Sequence, residues 1–312
     1  MATFDITTIV QSLHDARHRW RQEQSRASEP GGREFPSRNA LAAIIDSLKG
    51  VLFPMRLGPP DLRQESEDFH VAHALDGVLH ALLKQVRREL KYNAGLRGAL
   101  LDHSAENDID HEALSAVRSF AAALPAIRSL LDSDVMAAYQ GDPAARSVDE
   151  VLLCYPGVLA MIHYRIAHQL YTLGLTLLAR IVSELAHGAT GIDIHPGARI
   201  GAGFFIDRGT GVVIGETAVI GARVRLYQAV TLGAKRFPTD ADGNLQKGLP
   251  RHPVVEDDVV IYAGATVLGL ITIGKGAIIG GNVWLTHDVP PGGRIAQAES
   301  RVGAFANGIA AA

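Results

Sequence analysis

The feature that most constrains this chain is a spacing of six residues in its C-terminal part. Ile194, Ile200, Ile206 and Val212 stand six apart. After a two-residue slip the spacing resumes at Ile214, Ile220, Leu226 and Leu232. Beyond a long polar insertion it runs unbroken through Val255, Ile261, Val267, Ile273, Ile279 and Leu285. Four residues after most of these comes a second inward candidate, usually small or apolar: Ala198, Phe204, Thr210, Ala218, Val224, Val230, Val259, Ala265, Ile271, Ala277 and Val283. Glycine often follows the leading aliphatic directly, as at Gly201, Gly215, Gly221, Gly233, Gly274 and Gly280.

A period of six matches neither the helical turn nor the heptad. It is a multiple of two, yet no single strand runs so far with glycine recurring inside it. The physical solution is a solenoid in which each hexad forms one short flat face and then turns a corner. The aliphatics stack inward, and successive coils pair their backbones.

The first half obeys another rule. From about Asp5 to about Ala186 the apolar residues recur at helical spacing, and Ala40–Leu52, Phe69–Leu90, Asp110–Leu131 and Pro156–Leu173 each carry an amphipathic stripe. Gly58-Pro59-Pro60-Asp61 and Gly141-Asp142-Pro143 supply helix stops, and Asp61 and Ser104 are candidate caps. The expected organisation is α+β: an α-helical domain over 1–188 with a loop at 25–38, a solenoid over 189–300 with an extruded loop at 234–250, and a tail at 301–312.

Composition narrows the function classes. A formal net charge of −3 gives no reason to expect nucleic acid or an anionic membrane as the partner. No stretch holds the roughly 18 uninterrupted apolar residues of a membrane span; Val158–Leu185 is broken by Arg165, His168, Arg180 and Glu184 and reads as core helix. The single cysteine, Cys154, excludes an internal disulfide framework and is expected to be a buried structural thiol. The chain reads as cytoplasmic.

Several phrases sharpen the reading: Asp142-Pro143-Ala144, Tyr155-Pro156-Gly157, Tyr164-Arg165-Ile166-Ala167-His168, Asp193-Ile194-His195-Pro196 and Asp207-Arg208-Gly209-Thr210-Gly211. Gly215-Glu216-Thr217-Ala218-Val219-Ile220, Gln228, Val230-Thr231-Leu232-Gly233 and Arg251-His252-Pro253 follow. With the hexads, these resemble the serine O-acetyltransferases, best from Gly141 to about Ile295; before about residue 130 only the helical character matches.

The resemblance implies a left-handed parallel β-helix behind a helical domain. It also implies homotrimers with sites between adjacent β-helices, commonly paired into hexamers, and acetyl transfer from acetyl-CoA to the hydroxyl of L-serine, the step that leads to cysteine. A serine hydroxyl needs a base, oxyanion donors and carboxylates for the substrate ammonium. By resemblance Asp142 and Asp207 contact serine, Arg251 and His252 bind its carboxylate and assist, and Asp193 orients the base. Gly233, Ala234, Ala263, Gly280 and Gly281 would line the acetyl-CoA groove, with Lys235, Arg236 and Lys275 as phosphate candidates.

One position departs from the pattern. The family's base histidine follows the motif aspartate, and here that position holds Arg208. Arginine stays protonated and cannot be a general base. Three readings stay open: His252 removes the proton while Arg208 assists, the chain is an impaired homologue with an assembly or regulatory role, or the acceptor or acyl donor has changed. Arg208 could also simply pair with Asp193 or Asp207.

No metal is expected: His195, His252 and His287 lack the close spacing of a three-imidazole zinc site, and His163 and His168 are off one helical face. Asp240-Ala241-Asp242-Gly243-Asn244 opens like a calcium loop without its closing glutamate and reads as a turn. The end, Ile309 followed by three alanines, departs from the family tail that docks on cysteine synthase.

Overall fold

The computed structural model describes residues 4–24, 35–96 and 103–297. The tail with Ile309 and most of the expected 25–38 loop fall outside the described residues. Residues up to Phe35 form one compact unit, and those from Pro36 onward form a second. The first unit contains helix α1 (Ile6–Glu23), capped by the Asp5 carboxylate on the Thr8 N–H and burying none of its residues.

The second unit opens with α2 (Arg38–Leu52), α3 (Pro54–Leu57), α4 (Glu67–Leu96) and α5 (His103–Gly141). It continues with α6 (Val148–Cys154), α7 (Pro156–Thr172) and α8 (Thr176–Thr190). The expected stripes lie inside α2, α4, α5 and α7. Of the cap candidates, Asp61 sits in a turn well before α4, and Ser104 falls inside α5. The observed side-chain caps are Ser37 on Ala40 N and Ser147 on Glu150 N. Helix α5 is long and apolar enough to cross a membrane by length and composition. Its stripe of Ile109, Ala113, Val117, Phe120, Leu124 and Leu131 is buried against the neighbouring helices instead. Cys154 corrects its expectation: it ends α6 on the exposed side, while Val151 and Leu152 face the core.

Parallel strands follow, two or three residues each, in three sheets of five, four and five strands. The chain visits a first, second and third face in turn, so every neighbour in a sheet comes from the next coil. The leading aliphatics are all buried, from Ile194 to Leu285. Thr210 is the exception among the second set, being exposed while Val212 is fully buried in its place.

The strand register explains that miss. Asp193 pairs with Val213, and Val213 with Thr231, so the first coil is two residues longer than the second. The surplus lies after Asp207, at the corner between third and first faces, where Arg208 (φ 62°) and Gly209 (φ 82°) are both left-handed. Elsewhere the corners repeat regularly: Gly211, Ala229, Gly264 and Asn282 form one left-handed column, and Gly203, Arg223, Asp258, Gly276 and Gly292 another.

Helices and solenoid share a polar seam. Arg165, buried in α7, donates to Asp134 of α5 and to the carbonyls of Ile200 and Gly201. Tyr164 donates to Ala198 O, and His168 Nδ1 bonds Pro196 O. The Tyr-Arg-Ile-Ala-His phrase is therefore a docking strip. Gly157 serves the same seam, because a Cβ there would overlap the Ile206 carbonyl.

Candidate active site

The residues expected to act together fall on two different corners of the solenoid. The acidic corner joins the third face to the first. Pro143 ends α5, and Asp142 turns its carboxylate back onto Ala144 N (2.8 Å). Tyr155, just ahead of Pro156, donates to the other Asp142 oxygen at 2.6 Å. These two bonds hold the Asp142 carboxyl below the usual carboxylate range, and the Tyr155 phenol is pushed up to about 12. Arg225 donates to Asp207 (2.6 Å) and to Gly141 O (2.8 Å), tying solenoid to helix end.

Arg208 stands exposed at this corner and makes no ion pair among the described residues; Asp207 pairs with Arg225 instead. Its charge still contributes to the lowered pKa of Asp142. The simple pairing of Arg208 with Asp193 or Asp207 is thus not what the structure contains. Asp193 begins the first face, half-buried, with Glu184 and His187 of α8; their ligand atoms lie within 4.8 Å of one another. This is the one cluster with metal-ligand spacing among the described residues, and it involves none of His195, His252 and His287.

The histidine corner joins the first face to the second. Thr217 Oγ1 accepts Arg251 N at 3.0 Å and His252 N at 3.3 Å. Thr217 N donates to His252 Nδ1 at 3.1 Å, with Oγ1 at 2.8 Å from the same nitrogen. The imidazole is buried (6% exposed) and lies over Gly215, where any Cβ would overlap it. Burial, with Arg251 nearby, lowers the His252 pKa.

Arg251 donates to Glu216 at 2.6 Å, and Tyr171 of α7 donates to the same carboxylate at 3.2 Å. Burial is the largest single influence on Glu216 and opposes its charge, but the Arg251 bond, the charges of His195 and Arg251 and the Tyr171 bond together hold the carboxyl below the usual range. His195 packs edge-on to Tyr171, and burial drives its pKa down to about 4.

The proposed cofactor residues divide the same way. Gly233 and Ala234 lie at the histidine corner, whereas Ala263, Gly280 and Gly281 lie at the acidic corner, with Gly281 against the Ala263 carbonyl. Lys235 and Arg236 open the fully exposed stretch 235–250, folded as a small hairpin with Thr239 bridged to Leu245 and Asp240 capping Asp242 N and Asn244 N. Lys275 is elsewhere, at the corner between second and third faces, 3.8 Å from Asp258. Sequence reasoning gave no separate role to Tyr155, Glu216 and Thr217, although all three lie in the quoted phrases. Tyr171 and Arg225 carry no motif signal.

A parallel solenoid of hexads, packed on helices and bearing these two polar corners, defines an acyltransferase of the hexapeptide-repeat class. No protein-family model matches the chain. It is 56% identical over 274 residues to the plasmid serine acetyltransferase of Synechococcus elongatus, covering 88% of this chain and 85% of that protein. Serine acetyltransferase isoform 3 of Entamoeba histolytica, solved in complex with cysteine, superposes with a TM-score of 0.68 at 34% identity, covering 94% of this chain and 95% of that one. The Neisseria gonorrhoeae serine acetyltransferase in complex with serine gives 0.52 at 27% identity, covering 83% and 97%. The chain belongs to the serine acetyltransferase family. The strand order and parallel pairing are consistent with the left-handed β-helix that the resemblance implied.

Proposed function

We propose that this enzyme moves the acetyl group of acetyl-CoA to the hydroxyl of L-serine, giving O-acetylserine and free CoA, the first step of cysteine biosynthesis. One observation carries the reading beyond the family name: the two corners are complementary to a zwitterionic amino acid. Asp142 and Asp207 offer two fixed carboxylates for the ammonium. Arg251, oriented by Glu216, offers a guanidinium for the carboxylate, and His252 lies beside it.

The halves stand on different corners of one solenoid, so neighbouring copies complete the site by each giving one corner. This favours a homotrimer, with pairing into hexamers through the helical regions. The acetyl-CoA arm then runs between Gly233 and Ala234 of one copy and the corner of another that carries Ala263, Gly280 and Gly281. Arg208 places a positive charge beside the serine hydroxyl, which lowers the cost of ionising it. Asp193, which makes no side-chain hydrogen bond among the described residues, takes the departing proton in place of the missing histidine. No step in this scheme draws on a metal. A single cysteine and a reducing, cytoplasmic setting fit the same reading.

Thiol release from acetyl-CoA by the purified protein, with and without L-serine and against His252→Ala, tests the proposal. Serine-dependent release that falls sharply in the variant is the expected result; release that ignores serine overturns the choice of acceptor. Arg208 itself favours one second reading, a chain that keeps the assembly but has slow chemistry, and Arg208→His separates the two.

A further inference from the structure

We propose that Thr217 is a positioning residue that fixes the tautomer of His252, so that this histidine acts as an Nε2–H donor to the developing oxyanion and not as the base. The inference deepens the acetyl-transfer reading and rests on it for the identity of the oxyanion.

The argument is a count of donors and acceptors around one atom. A backbone N–H can only donate, and Thr217 N–H points at His252 Nδ1 from 3.1 Å. That nitrogen is therefore the bare, accepting one. The threonine hydroxyl agrees: its oxygen already accepts the N–H groups of Arg251 and His252, so its own proton is free to go to Nδ1, 2.8 Å away. Two donors converge on Nδ1. In the neutral ring the remaining proton must then sit on Nε2.

An Nε2–H cannot also remove a proton. Reversing the tautomer would set a ring N–H against the Thr217 N–H and hydroxyl, and would leave the half-buried Thr217 N–H unpaired at a cost of about 1 kcal/mol. Nε2 has no hydrogen-bond partner among the described residues, and it is not among the closed-off buried atoms, so it is open to a ligand. Gly215 keeps the ring in place, since any larger residue would displace its Nε2–Cδ2 edge.

In the transfer, serine Oγ bonds to the thioester carbon as the carbonyl electrons move onto oxygen, where the Nε2–H meets them. The carbonyl then re-forms, the C–S bond breaks, and the sulfur leaves with its electron pair. The proton lost from serine passes through Asp193 and ends on that sulfur as the CoA thiol.

The test reads the nitrogen directly. In the ¹⁵N-histidine spectrum of the intact protein above neutral pH, His252, assigned through His252→Gln, is expected to show a bare Nδ1 and a protonated Nε2. Thr217→Val should mix the tautomers, and Thr217→Ser should restore the single form. In turnover, His252→Gln keeps a donor but can never be a base. It should retain activity within about tenfold, while His252→Ala loses about 10²–10³, the usual cost of one oxyanion donor. A protonated Nδ1 in the wild type, or Gln and Ala variants that are folded and equally inactive, overturns the proposal. Should the wild type release no CoA in response to serine, the acetyl-transfer reading fails on its own, and the nitrogen spectrum still decides the tautomer.

Discussion

The two corners of the solenoid carry opposite kinds of order. At the histidine corner the side chains hold one another and leave only His252 Nε2 open: Thr217 meets Arg251 N, His252 N and His252 Nδ1, Glu216 holds Arg251 and Tyr171, and Gly215 leaves room for one ring only. At the acidic corner Asp142 and Asp207 are clamped, but the next residue, Arg208, is exposed on a left-handed backbone and makes no ion pair among the described residues. An exposed side chain with no ion pair among the described residues can change type with little cost to the fold. At position 252 an apolar replacement would leave Thr217 N–H without its acceptor.

The largest expected effect breaks the ordered corner. Gly215→Ala places a methyl group inside the His252 ring, so the ring must leave its site. We expect serine-dependent turnover to fall at least about 10²-fold, as for loss of an oxyanion donor. Overpacking should also cost about 1–3 kcal/mol in denaturant unfolding. A variant with normal turnover would show that His252 is not held where the reaction occurs.

The loose corner is tested by restoring its missing group. Arg208→His puts a titratable imidazole at the position that the resemblance gives to the base. Positioned general bases contribute about 10²–10⁴, and a gain of about 10² in kcat is expected, with a new pH limb near the ordinary histidine pKa. No gain would mean that Arg208 is part of a reorganised working site. Arg208→Gly asks the opposite question. It removes the left-handed strain, about 1–2 kcal/mol for a residue with a Cβ, so Tm should rise while KM for serine worsens.

How much of this was legible beforehand follows the same division. The hexads located the buried aliphatics from Ile194 to Leu285 because each short strand of a solenoid face turns its leading aliphatic inward. Thr210 was misplaced because a two-residue surplus in the first coil is silent in a period count; only strand pairing shows where the extra residues went. The site motifs named Asp142, Asp207, Arg251 and His252, but not their separation onto two corners, since chain order says nothing about which corner a loop closes. Arg225 was invisible for a related reason. Its link to Asp207 spans one full coil and its link to Gly141 reaches into the helices.

A smaller effect sharpens the acidic corner. Tyr155→Phe removes the 2.6 Å bond that helps hold the Asp142 carboxylate ionised. The carboxyl pKa should move back up toward its ordinary value, and the grip on the ammonium should loosen. We expect KM for serine to rise about three- to tenfold, the equivalent of one net hydrogen bond, with kcat nearly constant. An equal fall in kcat would place Tyr155 in the chemical step.

The smallest effect lies in the pH dependence of stability, and it belongs to the histidine corner. His195 is neutral when folded, its pKa lowered to about 4 by burial, with His252 lowered for the same reason. An unfolded histidine titrates near 6.5. Between these values the unfolded chain binds a proton that the folded chain refuses, so stability must fall as pH drops from about 6.5 toward 4. Asn in place of His195 keeps an acceptor for Gly197 N–H, which now bonds Nδ1 at 3.0 Å, but cannot titrate. Thermal melts across this window should therefore show a shallower acid slope for His195→Asn than for the wild type. Arg208→Gly, altered at the other corner, should leave that slope unchanged. If the wild-type slope survives in His195→Asn, acid sensitivity arises from other groups, and the contrast between a tightly ordered corner and a loose one would have to rest on the kinetic variants alone.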